Sequence, residues 1–144
     1  MASFIYRRSM TVEWGHCDPA GIVFNARFFE FFDTSTWLLF EAALGVKRSD
    51  LNAAFGIIGL PLVDARAAFR APARFGDTIE IASRVKEFRR SSFDVEHLMT
   101  AGGKLAVEGG ETRVWAGKHA SDPHRISAVA VPAEVVKRFN SQRT

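Results

Sequence analysis

A short acidic turn at residues 16–21 is the part of the chain best suited to chemistry. Asp18 is followed by Pro19 and then Gly21, a combination typical of tight turns, because proline fixes φ and glycine accepts a left-handed backbone. A long apolar segment, predicted to be a helix, begins near Asn25. A carboxylate just before a helix could act as nucleophile or general base, with the first helix amides stabilising negative charge. An aspartate before proline also commonly bonds its own backbone, so spacing alone leaves both roles open.

The other reactive side chains are isolated from one another. Cys17 is the only cysteine, and no histidine can be paired with it from the sequence, so a small buried role is expected. His97 falls on the apolar face of a predicted strand and is interpreted as a core histidine. His119 and His124 lie in a polar loop and do not form a metal-binding pattern. Because phosphate-binding, serine-elbow and dinucleotide motifs are also absent, we expect neither a metal nor a cofactor.

The composition indicates a globular chain with an apolar core. The 144 residues correspond to a single domain, 1–144, and 47% of them are hydrophobic, including 13 phenylalanines. The net charge of +3 suits an anionic ligand, but the basic residues lack the interleaved exposed aromatics of a nucleic-acid site. A single cysteine favours a reducing compartment. The first ten residues have no apolar signal region, and acidic residues interrupt the long helix, so we predict a cytoplasmic protein without a membrane span.

The predicted central helix covers residues 25–44. Asn25 is a suitable N-cap, and Gly45 is suitable just beyond the C-terminus. At helical spacing, the polar residues fall on one stripe, which consists of Glu30, Asp33, Thr34, Trp37 and Glu41. The remaining faces are apolar or small, and so wide an apolar arc predicts that the helix is packed on more than one side.

Alternation of apolar and polar residues predicts strands on both sides of this helix in sequence. The predicted strands are residues 4–14, 60–71, 78–88, 92–100 and 105–116, with a possible short edge strand at 126–131. A short helix is predicted within 47–56 and a last one from 132 to 139. Gly109 and Gly110 interrupt the fifth strand and predict a bulge or a bend around the helix. The order indicates an α+β fold, in which an antiparallel sheet of five to six strands wraps around one long central helix.

The residues of the turn also carry a resemblance to a known family. The run 13–23, Glu-Trp-Gly-His-Cys-Asp-Pro-Ala-Gly-Ile-Val, resembles the signature of the 4-hydroxybenzoyl-CoA thioesterase family, whose members are hot-dog-fold enzymes that hydrolyse acyl-CoA thioesters. The similarity continues through the helix and returns at 59–71, 86–93 and 113–115, so it covers nearly the whole chain. It implies a hot-dog subunit, an obligate dimer with active sites at the subunit interface, and often a tetramer formed as a dimer of dimers.

The resemblance also assigns the reactive group. It implies that Asp18 is the catalytic carboxylate. The chain departs from the family pattern after Val23, where it reads Phe24-Asn25-Ala26-Arg27. The Tol–Pal-associated branch carries a catalytic histidine near the position of Asn25, and its absence here favours the aromatic-acyl branch. Hot-dog hydratases generally place a histidine five residues after the aspartate, where this chain has Val23.

Further site residues are predicted around this carboxylate. The backbone amides of Phe24 and Asn25 are expected to bind the thioester oxyanion. His16 is either a residue that contacts substrate or a turn residue. Asp33 is either a solvated or interface carboxylate or a residue that reaches the neighbouring subunit's acyl pocket and accepts a hydrogen bond from a phenolic hydroxyl. Basic residues cluster where they could bind the phosphates of CoA, or could simply form a solvated face; they are Arg84, Lys86, Arg89, Arg90 and Arg125.

Together these observations predict a cofactor-free acyl-CoA thioesterase. The expected substrate is an aromatic acyl-CoA such as 4-hydroxybenzoyl-CoA, with Asp18 as nucleophile or general base. A thioesterase for short- or medium-chain aliphatic acyl-CoA is one alternative. A non-catalytic module that binds acyl-CoA or an acyl-carrier protein is another, and it would require Asp18 to be only a turn residue.

Overall fold

A computed structural model describes residues 3–141 of the chain, with Ser141 described by its backbone alone. The helices are α1, Asn25–Leu44; α2, Leu51–Phe55; and α3, Ala133–Ser141. The strands are β1, Tyr6–Thr11; β2, Ile57–Gly59; β3, Leu62–Phe69; β4, Thr78–Phe88; β5, Ser92–Ala101; β6, Lys104–Val114; β7, Ala116–Lys118; and β8, Ile126–Ala128. No helix in this part of the chain is long and apolar enough to cross a lipid bilayer.

The strands form two antiparallel sheets. The larger has five strands in the order β1-β4-β5-β6-β3, and helix α1 packs against its β1 and β4 side. A smaller sheet has the order β2-β7-β8. The predicted α+β architecture, with an antiparallel sheet around one long helix, is therefore confirmed. Strand β2 was not predicted, because three residues are too few to show an alternation.

Helix α1 has the predicted length, but its N-terminus is built differently. Asn25 is the first helical residue and not the N-cap; the cap position is taken by Phe24, whose extended backbone makes no side-chain cap bond. The helix start is instead held by the preceding turn. At the other end Gly45 is left-handed, with φ of 67°, and its amide donates to the Glu41 carbonyl 2.9 Å away, as predicted.

Burial along α1 follows the predicted pattern at most positions, although Phe29 and Ala42 on the apolar faces are exposed. Glu30, Asp33 and Thr34 are exposed, whereas the opposite faces are buried in two apolar clusters beneath the sheet. Trp37 lies on the predicted polar stripe but is only 9% exposed. The Arg48 guanidinium covers its ring at 3.8 Å from the centroid, and this cation–π contact explains why an aromatic residue occupies the outer stripe.

The two glycines of β6 serve close packing and not a bulge. The strand keeps continuous register with β3 and β5 through Gly109 and Gly110, so the predicted bulge is wrong. A Cβ at Gly109 would lie 2.5 Å from Cε2 of Phe32, which projects from α1 onto the sheet. A Cβ at Gly110 would meet the Arg66 guanidinium at 2.8 Å on the other face. The absence of side chains at these two positions lets the helix and an arginine lie against the backbone.

Replacement of Gly109 by alanine should destabilise the fold, because the added methyl overlaps a fully packed ring. We expect Gly109→Ala to lower the free energy of unfolding by about 1–3 kcal/mol in urea denaturation. Gly110→Ala is the matched control, since the exposed Arg66 can move aside, and it should cost less than half as much. Equal losses in the two variants would show that strand propensity, and not the contact with Phe32, explains the glycine.

Candidate active site

The acidic turn is a small hairpin that delivers the chain to helix α1. The Asp18 amide donates to the Ile22 carbonyl at 2.9 Å, and the Phe24 amide donates to the His16 carbonyl at 2.9 Å. Gly21 has φ of 79° and donates its amide to the Asp18 carbonyl at 3.0 Å, which closes the tip. Further backbone bonds tie the hairpin to residues 73–75. The turn is therefore held from two sides and gives Asp18 a fixed position.

The Asp18 carboxylate is half-buried and has one oxygen engaged. Its Oδ1 accepts a hydrogen bond from the Ala20 amide at 2.8 Å, which is the local turn bond expected of an aspartate before proline. Its Oδ2 has no hydrogen-bond partner within residues 3–141. One oxygen thus anchors the carboxylate while the other remains available for chemistry.

The amides available at the start of α1 differ from those predicted. The Phe24 amide is already bonded to His16, so its prediction as an oxyanion donor is wrong. The Arg27 amide donates back to the Phe24 carbonyl at 2.9 Å. Between them, the amides of Asn25 and Ala26 have no acceptor within the described residues. This is normal for the first amides of a helix, which have no carbonyl one turn earlier to bond. The candidate anion site therefore lies one residue further along than predicted, at Asn25 and Ala26.

His16 lies beside this hairpin in a single 3₁₀ turn, Trp14–His16. Its Nδ1 accepts a hydrogen bond from the Glu13 amide at 2.9 Å, so the neutral ring carries its proton on Nε2. The ring packs edge-on against Phe31 of α1, with centroids 5.0 Å apart. Cys17 is half-buried, and its thiol contacts the Glu13 carbonyl at 3.6 Å. The structure thus gives both side chains supporting contacts around Asp18.

Asp33 lies on the wall of a groove that is separate from the Asp18 turn. The groove has a volume of about 1060 Å³, and its wall includes Trp37, Ile58 and Leu60 besides Asp33 and Arg113. The Asp33 side chain is 51% exposed, and its Oδ1 accepts a hydrogen bond from Arg113 Nη2 at 2.7 Å. Asp33 is therefore not a solvated carboxylate without a partner; it is held by a buried arginine.

A buried polar network lies behind that arginine. Arg113 Nε donates to Glu111 Oε1 at 2.9 Å, and both residues are at most 4% exposed. Glu111 also accepts from the Thr36 hydroxyl, and His97 Nε2 lies 3.3 Å from Glu111 Oε1. His97 Nδ1 bonds the Ser83 hydroxyl at 2.7 Å, which confirms the prediction of a satisfied core histidine.

Sequence reasoning missed Glu111 and Arg113. The available signal was their spacing: two charged residues, two positions apart, fall on the same inward face of a strand. Buried charges are costly unless they are paired, so such a pattern indicates an ion pair beneath a functional surface.

The ionisation of Glu111 makes the fold sensitive to acid. Burial alone would raise the pKa of this carboxyl, but the hydrogen bonds and charges of His97 and Arg113 outweigh it and lower the pKa to about 2. A depressed carboxyl pKa stabilises the folded state above the ordinary pKa, near 4.5, and this contribution is lost as the pH falls from about 4.5 to about 2. The shift corresponds to roughly 3 kcal/mol.

Glu111→Gln should therefore flatten the acid limb of the stability curve. Urea unfolding at pH 5 and pH 3 should show the unmodified protein losing more stability over this interval than the variant, by up to about 2 kcal/mol. The variant will be less stable at pH 7, since the buried Arg113 loses Glu111 and keeps only the half-exposed Asp33 as a charged partner within the described chain. Parallel losses in the two proteins between pH 5 and pH 3 would contradict the assignment.

The predicted phosphate-binding residues divide into two groups. Arg84 pairs with Glu96 at 2.9 Å, and Arg89 forms a two-pronged pair with Asp94 at 2.8–2.9 Å. The remaining three, Lys86, Arg90 and Arg125, are exposed and form no ion pair within the described chain. Lys86 lies where the register between β4 and β5 shifts, between Val85 and Glu87.

A smaller groove adjoins the start of α1. Its volume is about 340 Å³, and its wall includes Asn25, Phe28, Phe69 and Ala73. It is largely apolar and begins beside the free amides of the helix. Within residues 3–141 no group of three or more histidine, cysteine or acidic side chains could hold a metal ion.

Comparison with known proteins agrees with this geometry. Residues 12–139 match the family model of the thioesterase-like superfamily. The chain is 33% identical over 132 residues to the 4-hydroxybenzoyl-CoA thioesterase of Pseudomonas sp. (strain CBS-3), covering 88% of this chain and 91% of that protein. A variant of 4-hydroxybenzoyl-CoA thioesterase solved with 4-hydroxybenzoyl-CoA superposes with a TM-score of 0.85 at 28% identity, over 94% of this chain and 98% of the other. A gentisyl-coenzyme A thioesterase superposes with a TM-score of 0.78 at 30% identity, over 92% and 99%.

The five-stranded antiparallel sheet around one long helix is the hot-dog fold, and the similarity to thioesterases over most of the chain identifies a thioester hydrolase. The chain belongs to the thioesterase-like superfamily, as its resemblance to the 4-hydroxybenzoyl-CoA thioesterase family predicted.

Proposed function

We propose that this protein hydrolyses a hydroxylated aromatic acyl-CoA, such as 4-hydroxybenzoyl-CoA, to the free acid and CoA. The observation that carries the proposal is the Asp18 carboxylate, which is anchored through one oxygen at the entrance to helix α1. The first two amides of this helix have no acceptor among residues 3–141. The similarity to thioesterases named for 4-hydroxybenzoyl and gentisyl groups supports a hydroxylated aromatic acyl chain.

Two routes use the same groups. In the first, Asp18 Oδ2 attacks the thioester carbonyl carbon, the carbonyl oxygen becomes an oxyanion, and the CoA thiolate leaves; water then cleaves the mixed anhydride. In the second, Asp18 takes a proton from a water molecule that attacks the same carbon. In both, the amides of Asn25 and Ala26 stabilise the oxyanion, at roughly 3 kcal/mol for each well-placed donor.

The complete site is proposed to lie between two copies of the chain. Strand β3 is an edge strand with unusually exposed apolar side chains; Leu62, Val63 and Phe69 are 50%, 65% and 52% exposed. Such edges normally pair or are protected by charge. The groove of Asp33 includes Leu62 at the beginning of β3, and the groove beside Asn25 includes Phe69 at its end.

Antiparallel pairing of β3 with the same strand of a second copy joins these two grooves. A two-fold axis at the middle of the strand sets the beginning of one β3 beside the end of the other. The Asp18 turn of one subunit then faces the Asp33 groove of its partner. We therefore propose a homodimer with two equivalent composite sites. In each site Asp18 of one subunit acts on the thioester, and Asp33 of the other accepts a hydrogen bond from the distal end of the acyl group. A dimer of dimers stays a prediction.

The CoA moiety is proposed to bind through exposed basic residues. Three of these residues form no ion pair within the described chain, so they can bind phosphate without first losing a carboxylate partner; they are Lys86, Arg90 and Arg125. Arg84 and Arg89 would have to exchange an existing partner, and the strength of the Arg89 contact is evident from Asp94, whose pKa it lowers to about 2. Rising ionic strength should raise the KM for acyl-CoA if these cations bind phosphate.

A panel of acyl-CoA thioesters tests the function directly. Release of free CoA thiol should be fastest, in kcat/KM, for 4-hydroxybenzoyl-CoA and similar hydroxylated aryl thioesters, and slower for benzoyl-CoA and hexanoyl-CoA. A preference for hexanoyl-CoA would assign the protein to aliphatic substrates. Tight binding of these thioesters without release of thiol would indicate a binding module and overturn the proposal.

A further inference from the structure

We infer that Arg113 is a positioning residue that fixes Asp33 as a hydrogen-bond acceptor and thereby selects acyl groups that carry a neutral donor at their distal end. This inference rests on the proposed function, because it requires the acyl group to occupy the groove of Asp33. It adds the residue that sets the specificity and the chemical class that fits.

The contact between the two residues joins a rigid group to a mobile one. The Arg113 side chain is 4% exposed, whereas that of Asp33 is 51% exposed. A half-exposed carboxylate would ordinarily rotate freely, but the charge-assisted bond of 2.7 Å from Arg113 Nη2 holds Oδ1. The bond fixes the orientation of the carboxylate and leaves Oδ2 for a ligand in the groove.

Arg113 is itself immobilised on both edges of its guanidinium. Nη1 donates to the Leu60 carbonyl at 2.9 Å, and Nε and Nη2 donate to the two oxygens of Glu111 at 2.9 and 3.1 Å. Glu111 is held in turn by Thr36 and His97. Burial lowers the pKa of the Arg113 guanidinium, but its bonds and charge interactions with Glu111 and then Asp33 raise it overall, so it stays charged.

The charge balance of this cluster decides which substituent fits. Arg113 supplies one positive charge, while Glu111 and Asp33 supply two negative ones, so the cation that contacts Asp33 is already neutralised. Two further cations, Lys47 and Arg48, line the same groove, and Arg48 lies over the Trp37 ring. A carboxylate on the acyl group that reached Asp33 would therefore meet a negative charge whose arginine partner is already used. A hydroxyl or an aryl amine can donate to Oδ2, whereas a methoxy group of similar size cannot.

The test compares the preference for 4-hydroxybenzoyl-CoA over benzoyl-CoA, expressed as a ratio of kcat/KM values. This ratio does not depend on the fraction of enzyme that is correctly folded. We expect Asp33→Ala to lower the ratio about tenfold or more, because it removes a charged acceptor. Arg113→Lys keeps the positive charge but loses the planar guanidinium that donates to Glu111, Leu60 and Asp33 at once, and it should lower the ratio about fivefold.

A double-mutant cycle separates positioning from a merely structural role. In the Asp33→Ala background, Arg113→Lys should change the ratio by less than about twofold, since the residue that it positions is gone. An equal decrease in both backgrounds, or no decrease in either, would overturn the inference. If Asp33→Ala lowers the ratio while Arg113→Lys leaves it unchanged, the role of Asp33 stands and only that of Arg113 fails.

Two further measurements keep the inference testable if Arg113→Lys does not fold. Glu111→Gln weakens the support of Arg113 from behind and should lower the same ratio. The unmodified protein should hydrolyse 4-methoxybenzoyl-CoA and 4-carboxybenzoyl-CoA more slowly than benzoyl-CoA. Efficient hydrolysis of the 4-carboxy thioester would show that a cation on the groove wall, such as Lys47 or Arg48, compensates the carboxylate, and it would overturn the inference. Absence of hydrolysis with every thioester contradicts the proposed function instead.

Discussion

Asp18→Asn should abolish turnover of acyl-CoA while leaving substrate binding largely intact. The loss in kcat is expected to be about a thousandfold, because the amide can neither attack the thioester carbonyl nor take a proton from water. The fold should not change: Oδ1 of asparagine can still accept the Ala20 amide, which is the bond that anchors the turn. Measurement of kcat and KM with 4-hydroxybenzoyl-CoA should therefore show the effect almost entirely in kcat.

The chain contains a matched control for this substitution. Asp122 also precedes a proline, and its Oδ1 accepts the His124 amide at 2.9 Å, the same local arrangement as Asp18 with Ala20 at 2.8 Å. Asp122→Asn makes the same chemical change in an equivalent turn that does not lead into α1, and it should leave kcat within about twofold. A decrease in kcat of less than tenfold for Asp18→Asn would contradict the catalytic assignment and would indicate that Asp18 is only a turn residue.

These two aspartates also show how far the sequence can lead. Both precede a proline, and in both a carboxylate oxygen accepts the amide two residues further on, so local sequence accounts for the geometry but not the reactivity. What distinguishes Asp18 is the helix that follows it, whose first two amides have no acceptor in the part of the chain that the structure describes. The helix itself was predictable to the residue because its apolar arc and terminal Gly45 are strong signals.

The parts that sequence reasoning missed depend on contacts between distant segments. The free amides at the start of α1 lie one residue further along than predicted, because the Phe24 amide donates to the His16 carbonyl and closes the hairpin. The Arg113–Asp33 pair joins residues 80 positions apart. No periodicity within either segment encodes such a pair, although the inward-facing charges of β6 give a local indication.

Interruption of the β3 edge should remove activity without unfolding the subunit. Val63 is 65% exposed on this edge, and Val63→Glu places a charge from each subunit on the surface proposed for dimerisation. We expect light scattering to show a monomer, circular dichroism to show an unchanged fold, and kcat/KM to fall by about a hundredfold or more, since Asp18 and the acyl groove separate. Val63→Thr keeps the β-branched shape and should remain dimeric and active. A fully active Val63→Glu monomer would contradict the composite site.

A mixing experiment then distinguishes a shared site from two independent ones. Asp18→Asn subunits lack the reactive carboxylate, and Asp33→Ala subunits lack the acceptor. In a mixed dimer, one site combines Asp18 from the second variant with Asp33 from the first, so it contains both native residues if the site spans the interface. Co-refolding the two variants should therefore raise the 4-hydroxybenzoyl over benzoyl preference above that of Asp33→Ala alone. If both residues served the same subunit's site, every active site in the mixture would lack Asp33, and the preference would stay at the value of Asp33→Ala.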